Sequence, residues 1–317
     1  MNITDKADLT AKVRNALRNE GFDFIGIVEA LPHPEDSLHI KEWIGRGSHG
    51  TMHFMERNLQ KRADITKIVP GARSVIVAAI RYYSRTDSDA RDSFFISRYA
   101  RVRDYHRVIK DKLTRVHNLI TTEAPNVTGK VFCDSNSLNE KTWAIRAGLG
   151  WRGRNSIVIS REFGSFLFLG EILTSAELVY DNHVSADHCG SCRKCIEACP
   201  TGAICEDRTI NAPRCIAYLT IEHEGDLPEE MLGKTENIIF GCDRCQEVCP
   251  WNRKLLPYND SELVPEYDIA GLDRSSWMNM TEAEFRIIFR STPVIRTGFE
   301  KIKRNILFAE KGLSEKR

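Results

Sequence analysis

At 317 residues the chain has room for about two domains. Its 42% hydrophobic and 28% charged residues are those of an ordinary globular protein, and a net charge of +1 excludes a polycation acting through bulk charge. No apolar run approaches the ~18–20 residues of a membrane span, and Met1 to Asp8 carry neither a secretory nor a twin-arginine pattern. A cytoplasmic, monomeric protein with no membrane partner is expected.

Residues 6–20 have the spacing of an amphipathic helix, with Leu9, Val13 and Leu17 on one face. Phe22–Val28 follows as a strand. Trp43 to Met52 holds too many glycines for one regular element. Ser74–Tyr82 is β-branched and predicts a buried strand, and 104–121 predicts a helix in which Leu113, Val116, Leu119 and Ile120 are apolar. Val131–Asp134 reads as a short strand, followed by a helix over 138–147 that opens with a capping box, Ser137 to Glu140. Asp134 therefore sits at the carboxyl end of a strand, the edge at which α/β proteins build sites. Asn155–Ser160 and Phe166–Thr174 predict two more strands joined by a turn at 162–165, and one or two helices are expected beyond Pro257. Gly148-Leu149-Gly150-Trp151-Arg152-Gly153 matches G-x-G-x-x-G, but a helix precedes it and a strand follows. A dinucleotide fingerprint needs the reverse order, so this is a helix-to-strand turn.

The chemistry is concentrated in the cysteines. Cys189-x2-Cys192-x2-Cys195-x3-Cys199-Pro200 and Cys242-x2-Cys245-x3-Cys249-Pro250 are two runs, with Cys215 between them. The first is the ligand spacing of bacterial ferredoxins, in which the fourth cysteine serves the other cluster. The second lacks its first cysteine, which Cys215 can supply. This predicts two [4Fe-4S] clusters: one on Cys189, Cys192, Cys195 and Cys249, the other on Cys199, Cys215, Cys242 and Cys245. Structural zinc leaves the third cysteine and both prolines unexplained, and disulfides need an oxidising compartment. Cys133 and Cys205 lie outside the pattern and read as small apolar residues.

Basic residues cluster twice. Residues 285–317 hold nine Lys/Arg against three Glu, and Arg101, Arg103, Arg107, Lys110, Lys112 and Arg115 form a second group. Such groups can track phosphates, although solvated helix faces have the same composition.

Several uncommon blocks occur in one order. They are Trp43-Ile44-Gly45-Arg46-Gly47-x-His49-Gly50, Arg98-Tyr99-Ala100 with Asp104-Tyr105-His106, and Ala147-Gly148-Leu149-Gly150-Trp151. Gly164-Ser165-Phe166 with Leu169-Gly170-Glu171, Cys215-Ile216-x-Tyr218-Leu219-Thr220-Ile221-Glu222, and Gly241-Cys242-Asp243-x-Cys245-Gln246 follow. Together they resemble the epoxyqueuosine reductases, tRNA-modifying relatives of the corrinoid reductive dehalogenases. The resemblance implies an α/β (α+β) nitroreductase-like cobalamin-binding domain over 1–180, a two-[4Fe-4S] ferredoxin domain over 181–255 and a short basic helical tail over 256–317. It implies reduction of the epoxide of epoxyqueuosine to queuosine at the tRNA wobble position, with a low-potential electron donor as a further partner. The alternative is a dehalogenase-type enzyme acting on a small molecule, whose proton donor would be a tyrosine. Val102 stands where the family usually has glycine, and there is no D-x-H-x-x-G segment for a histidine-ligated corrin.

The resemblance also implies roles. Asp134 matches the proton donor, although the residues alone favour a helix-flanking aspartate that caps or tops a strand. Arg62, Ser97, Arg98, Asp134, Lys141, Asn155, Ser160, Glu222, Cys242 and Asp243 are the expected corrin contacts. Tyr105 and His106 are expected near substrate or corrin, and Arg101, Arg103, Arg107, Arg296, Lys301, Lys303 and Arg304 near tRNA.

Overall fold

The computed structural model describes residues 3–84, 93–134, 138–182 and 185–315. In chain order the elements begin with α1 (Ile3–Asn19), β1 (Phe24–Glu29), α2 (Pro34–Gly45), α3 (Leu59–Ala63), β2 (Ser74–Arg81) and β3 (Phe95–Ile96). Next come α4 (Tyr105–Glu123), β4 (Gly129–Phe132), α5 (Glu140–Arg146), β5 (Trp151–Arg152), β6 (Val158–Ile159) and β7 (Leu167–Thr174). The remainder is α6 (Lys194–Glu197), α7 (Ile216–Ile221), β8 (Ile238–Phe240), α8 (Arg244–Glu247), α9 (Arg274–Asn279), α10 (Glu282–Phe289) and α11 (Phe299–Ser314). These group into two compact units, each drawn from separate stretches of chain. The first takes 1–47, 53–81 and 106–190, and the second 48–52, 82–105 and 191–317.

In the first unit β1, β2, β7 and β4 form a four-stranded sheet in that order, every pair antiparallel. Strand periodicity gives its two faces different clients. Even-numbered Gly170 on β7 faces α4: a Cβ there would lie 2.5 Å from Ile109 and 2.7 Å from Leu113. The odd face, with Val75, Val77, Ala79, Phe132, Leu169 and Leu173, packs with Trp143, Ala144 and Ala147 of the α5 segment. Leu9, Val13 and Leu17 are buried along α1 as their spacing predicts. α1 is joined to α4 by Lys12–Glu123 at 2.6 Å, and Lys112 Nζ donates to Glu20 O at 2.7 Å.

The second unit centres on the parallel pair β3 and β8, with Phe95 opposite Ile238 and Ile96 opposite Phe240. Phe94, Ile96, Ile239 and Phe240 form one core with Trp277, Phe285, Phe289, Ile302 and Ile306. The C-terminal helices are thus a wall of this unit's core. Thr281 and Glu284 form a capping box at the start of α10.

The structure alters several expectations. The first unit's sheet is wholly antiparallel, so the parallel-sheet rule that drew attention to the end of β4 does not apply. Ser137 lies outside the described residues. The N-cap of α5 is Asn139, with no side-chain bond, and Glu140 is the first helical residue rather than the third. The strand expected over 155–160 is only Val158–Ile159, and it pairs with the unforeseen β5. The glycine turn does join helix to strand: a Cβ at Gly150 would fall 1.9 Å from Ile159 O.

Phe240 is 1% exposed at the centre of the second unit's core. Phe240→Ala should cost about 3–5 kcal/mol, read as a lower urea midpoint of that unit's unfolding.

Candidate active site and cluster ligands

In the first unit β4 ends at Phe132, and Cys133 and Asp134 follow it. Asp134 has φ 48°, a left-handed conformation that aspartate tolerates better than most residues. Its side chain is 63% exposed, and Oδ2 lies 3.2 Å from Nε2 of His106 in the first turn of α4. The structure therefore brings together two residues singled out in the sequence. Cys133 is fully buried, and burial drives its thiol far above the ordinary range, with Glu140, Glu171 and Asp134 adding to the effect. It is an inert core thiol.

Behind Asp134 lies a carboxyl that the sequence reading did not single out. Glu171 is 0% exposed at the middle of β7, opposite Val77 on β2 and Phe132 on β4. Burial raises its proton affinity well above the usual carboxylate range, with further contributions from Glu140 and Asp134. A signal was present: Glu171 is the one charged residue in the apolar run 166–174.

The other first-unit candidates differ in character. Arg62 is buried in α3, where desolvation lowers its proton affinity. Lys141 Nζ donates to Ser156 O at 3.3 Å. Ser160 is buried and its Oγ accepts from Glu162 N and Phe163 N at 3.3 and 3.2 Å. Asn155 is 3% exposed, and its amide Nδ2 is buried with no acceptor among the described residues. A buried orphan donor is costly unless a ligand satisfies it. That fits a cofactor rich in carboxamide oxygens, such as cobalamin.

In the second unit Asp243 is 1% exposed and holds the end of β3. It accepts from Ser97 Oγ at 2.5 Å, from Arg98 N at 2.8 Å and from Arg98 Nη1 at 3.2 Å. Burial raises its proton affinity, while the Arg98 and Ser97 donors oppose that rise. Gly241, at φ 67°, permits this approach, since a Cβ there would stand 2.5 Å from that of Ser97. Arg98 also pairs with Glu247 at 2.8 Å, and Glu222 with Arg296 at 2.7 Å.

All ten cysteines are free thiols. The short helices within the two cysteine runs, α6 and α8, pack together. The Cys242 thiol is pushed up to about 12, first by burial, with Cys215 and Cys199 also raising it. Three thiols that repel one another's ionisation are a donor set suited to an iron–sulfur cluster, whose metal charge would deprotonate them. Two sulfurs also accept hydrogen bonds: Ala203 N donates to Cys199 Sγ at 3.3 Å, and in the first unit Trp151 Nε1 donates to Cys189 Sγ at 3.3 Å. The Trp151 contact was also missed in the sequence, where that residue entered through its turn and as the end of one block of the resemblance.

The basic candidates divide. Arg103 and Arg107 are exposed. Arg101 turns inward: Nε donates to Ile96 O at 2.7 Å, its guanidinium lies 4.9 Å from the Phe95 ring centre, and burial lowers its proton affinity to about 10. Arg304 is spent on Leu219 O, His223 O and Gly225 O, and Lys301 on Ile221 O and Glu224. Lys303 lies over the Phe299 ring. Tyr105 is buried, edge-on to Tyr99 with ring centres 6.3 Å apart.

Residues 188–252 match the family of 4Fe-4S double cluster binding domains, and residues 62–135 match Epoxyqueuosine reductase QueG, DUF1730. The epoxyqueuosine reductase of Cyclobacterium marinum is 40% identical over 95% of this chain and 96% of its own length. The chain belongs to the epoxyqueuosine reductase family. The Xanthomonas campestris pv. campestris member is 37% identical, over 95% of this chain and 86% of its own. Among solved structures, an epoxyqueuosine reductase with an epoxyqueuosine-modified tRNA-Tyr stem loop superposes with a TM-score of 0.88 at 29% identity, covering 95% of this chain and 80% of that one. The Bacillus subtilis enzyme with its Asp134 catalytic loop swung out of the active site superposes at 0.87 and 28%, covering 95% and 81%. Family membership makes this chain an oxidoreductase of the queuosine route. Among the described residues no helix is long and apolar enough to cross a membrane.

Cys215→Ala should remove one cluster's fourth ligand. Anaerobically purified protein should then lose about half its iron and sulfide; full iron with an unchanged spectrum would refute the assignment.

Proposed function

We propose that the chain reduces the epoxide of epoxyqueuosine to queuosine in the wobble position of tRNA, in the cytoplasm, with Asp134 as the proton donor. The observation that carries the assignment is Asp134 itself, which leaves β4 with an exposed carboxyl beside His106. Family membership supports the substrate, as does the relative solved with a modified stem loop. The Bacillus subtilis enzyme, whose catalytic loop carries an aspartate, supports the donor.

Converting an epoxide to an alkene takes two electrons and two protons and releases one water. Cobalamin, when bound, supplies a low-potential cobalt centre for breaking the C–O bond, and the two clusters supply electrons one at a time. In the first unit Arg62, Lys141, Asn155 and Ser160 are the residues assigned to hold it, Asn155 through its unsatisfied amide. The remaining steps belong to Asp134 and His106. The Asp134 carboxylic acid gives its proton to the epoxide oxygen as that oxygen takes up charge, and the resulting carboxylate is met by Nε2 of His106 at 3.2 Å. A second proton, taken through the same exposed carboxyl, completes the water. Arg107, with an 85% exposed side chain, is the cation assigned to the RNA backbone in this unit.

Three outcomes test this reading. Undermodified tRNA incubated with cobalamin-loaded protein and a low-potential reductant should lose the mass of one oxygen from its epoxyqueuosine. Asp134→Asn should lower single-turnover reduction by at least about 100-fold while cobalamin stays bound; turnover near the wild-type rate would remove Asp134 from the role. Arg107→Ala should weaken tRNA binding across sequences and reduce the salt slope by about one. An unchanged slope would take Arg107 out of the RNA contact.

A further inference from the structure

Glu171 has no place in the chemistry described so far, yet it occupies a fully buried position in the first unit's sheet. Its row across the sheet reads Gly26, Val77, Glu171, Phe132, and none of the other three is polar. Along β7 its same-face neighbours are Leu169 and Leu173. Both of its oxygens are buried, and among the described residues no hydrogen-bond donor reaches either one. The polar group within hydrogen-bonding range is another carboxyl, Glu140 at the start of α5.

Two ionised carboxylates cannot hydrogen-bond, and a buried unpaired carboxylate has no compensation for its lost hydration. One proton on the pair removes both problems: it makes the contact a hydrogen bond and leaves one charge instead of two. Glu171 is the fully buried partner, so the proton resides there. The groups around it are then accounted for. α5 contributes Glu140, while Lys141 turns away to Ser156 O. The end of β4 contributes Cys133 and Asp134, β2 only Val77, and α4 contributes Lys110, whose charge reaches Cys133. Among the described residues no cation is paired with Glu171 to hold it ionised.

We propose that Glu171 is a positioning residue for Asp134. Held neutral, it donates a hydrogen bond to the Glu140 carboxylate, and the negative charge thereby fixed on Glu140 keeps Asp134 protonated until a substrate oxygen takes the proton. The role of Glu171 is to act through Glu140 and not on the reacting atoms. The inference rests on the reading of Asp134 as donor, and its first test does not depend on that reading.

Cluster- and cobalamin-loaded protein carrying carboxyl-13C glutamate is compared with unlabelled protein by infrared difference spectroscopy at neutral pH. A protonated glutamic acid band should be present in the wild type and in Asp134→Asn, and absent in Glu171→Gln. Absence from the wild type, or persistence in Glu171→Gln, overturns the proposal. If Glu171→Gln fails to fold, Glu140→Gln serves: the band should remain but move, because its acceptor has changed, and its loss overturns the proposal. The second arm reads single-turnover rate against pH. Removing the like charge with Glu140→Gln lowers the proton affinity of the donor, so the alkaline limb should move about one pH unit downward. A limb that stays in place overturns the electrostatic role. If Asp134→Asn keeps its turnover, the donor reading has failed, while the glutamate-only label still decides where the buried proton lies.

Discussion

The first unit depends on β7 being paired along both edges. Every residue from Leu167 to Thr174 faces a partner on β2, and the second half faces β4 as well. A strand so placed cannot slip by one residue without exchanging its faces. That register decides which residues meet the helices. Gly170 gives α4 the room it needs to approach the sheet, and Glu171 is turned towards α5. The same register pins β4 and so fixes where the chain leaves the sheet at Cys133 and Asp134. The position of the proposed donor is therefore set by backbone hydrogen bonds two strands deep in the core.

The second unit solves a different problem. Its cysteine loops contain only short helices, α6, α7 and α8, each of four to six residues, too short to be stable by themselves. Order has to come from what they are tied to. Asp243 ties the loop carrying Cys242 to the end of β3, and Asn305 on α11 donates to Thr220 O and Ile239 O. Arg304 meets three more carbonyls around the end of α7. The basic C-terminal segment thus acts in large part as a brace for the cluster loops. Two of its cations, Arg296 and Lys301, are paired with Glu222 and Glu224 inside the unit.

Much of this was legible in the sequence where a pattern is local. The 3.6-residue spacing of Leu9, Val13 and Leu17 gave α1 its buried face, and the β-branched run at Ser74 gave β2. Cysteine spacing gave the double-cluster module, because a ligand set is written directly into the intervals between residues. What was not legible depends on contacts across the chain. The pairing of β7 with β2 and β4 joins segments far apart in sequence, so the sheet's antiparallel order had no local signature. The inward turn of Arg101 depends on Phe95 and Ile96 lying beside it after folding. In sequence it is one more arginine in a basic stretch. The α5 start was misplaced for a similar reason: Ser137 and Glu140 satisfy a capping pattern that the observed N-cap at Asn139 does not use.

Glu171 shows how a departure from local consistency becomes informative. The positions on either side of it on the same face of β7 are leucines, so the slot accepts a branched apolar side chain of similar length. A leucine at 171 would bury hydrocarbon at a gain, whereas a neutral carboxyl must be dehydrated and then find a partner. Replacing buried polar pairs by apolar residues is often neutral or stabilising, so folding alone gives little reason for an acid here. The partner it does find, Glu140, is itself an acid, which makes the arrangement costlier still unless a proton is retained. A retained proton in turn leaves one fixed charge at the beginning of α5, on the side of the sheet where the chain emerges at Asp134. The stability given up in the core is thus converted into a defined electrostatic environment at the surface. That conversion requires a central strand rigid enough to hold the buried acid in register, which is what the double pairing of β7 provides.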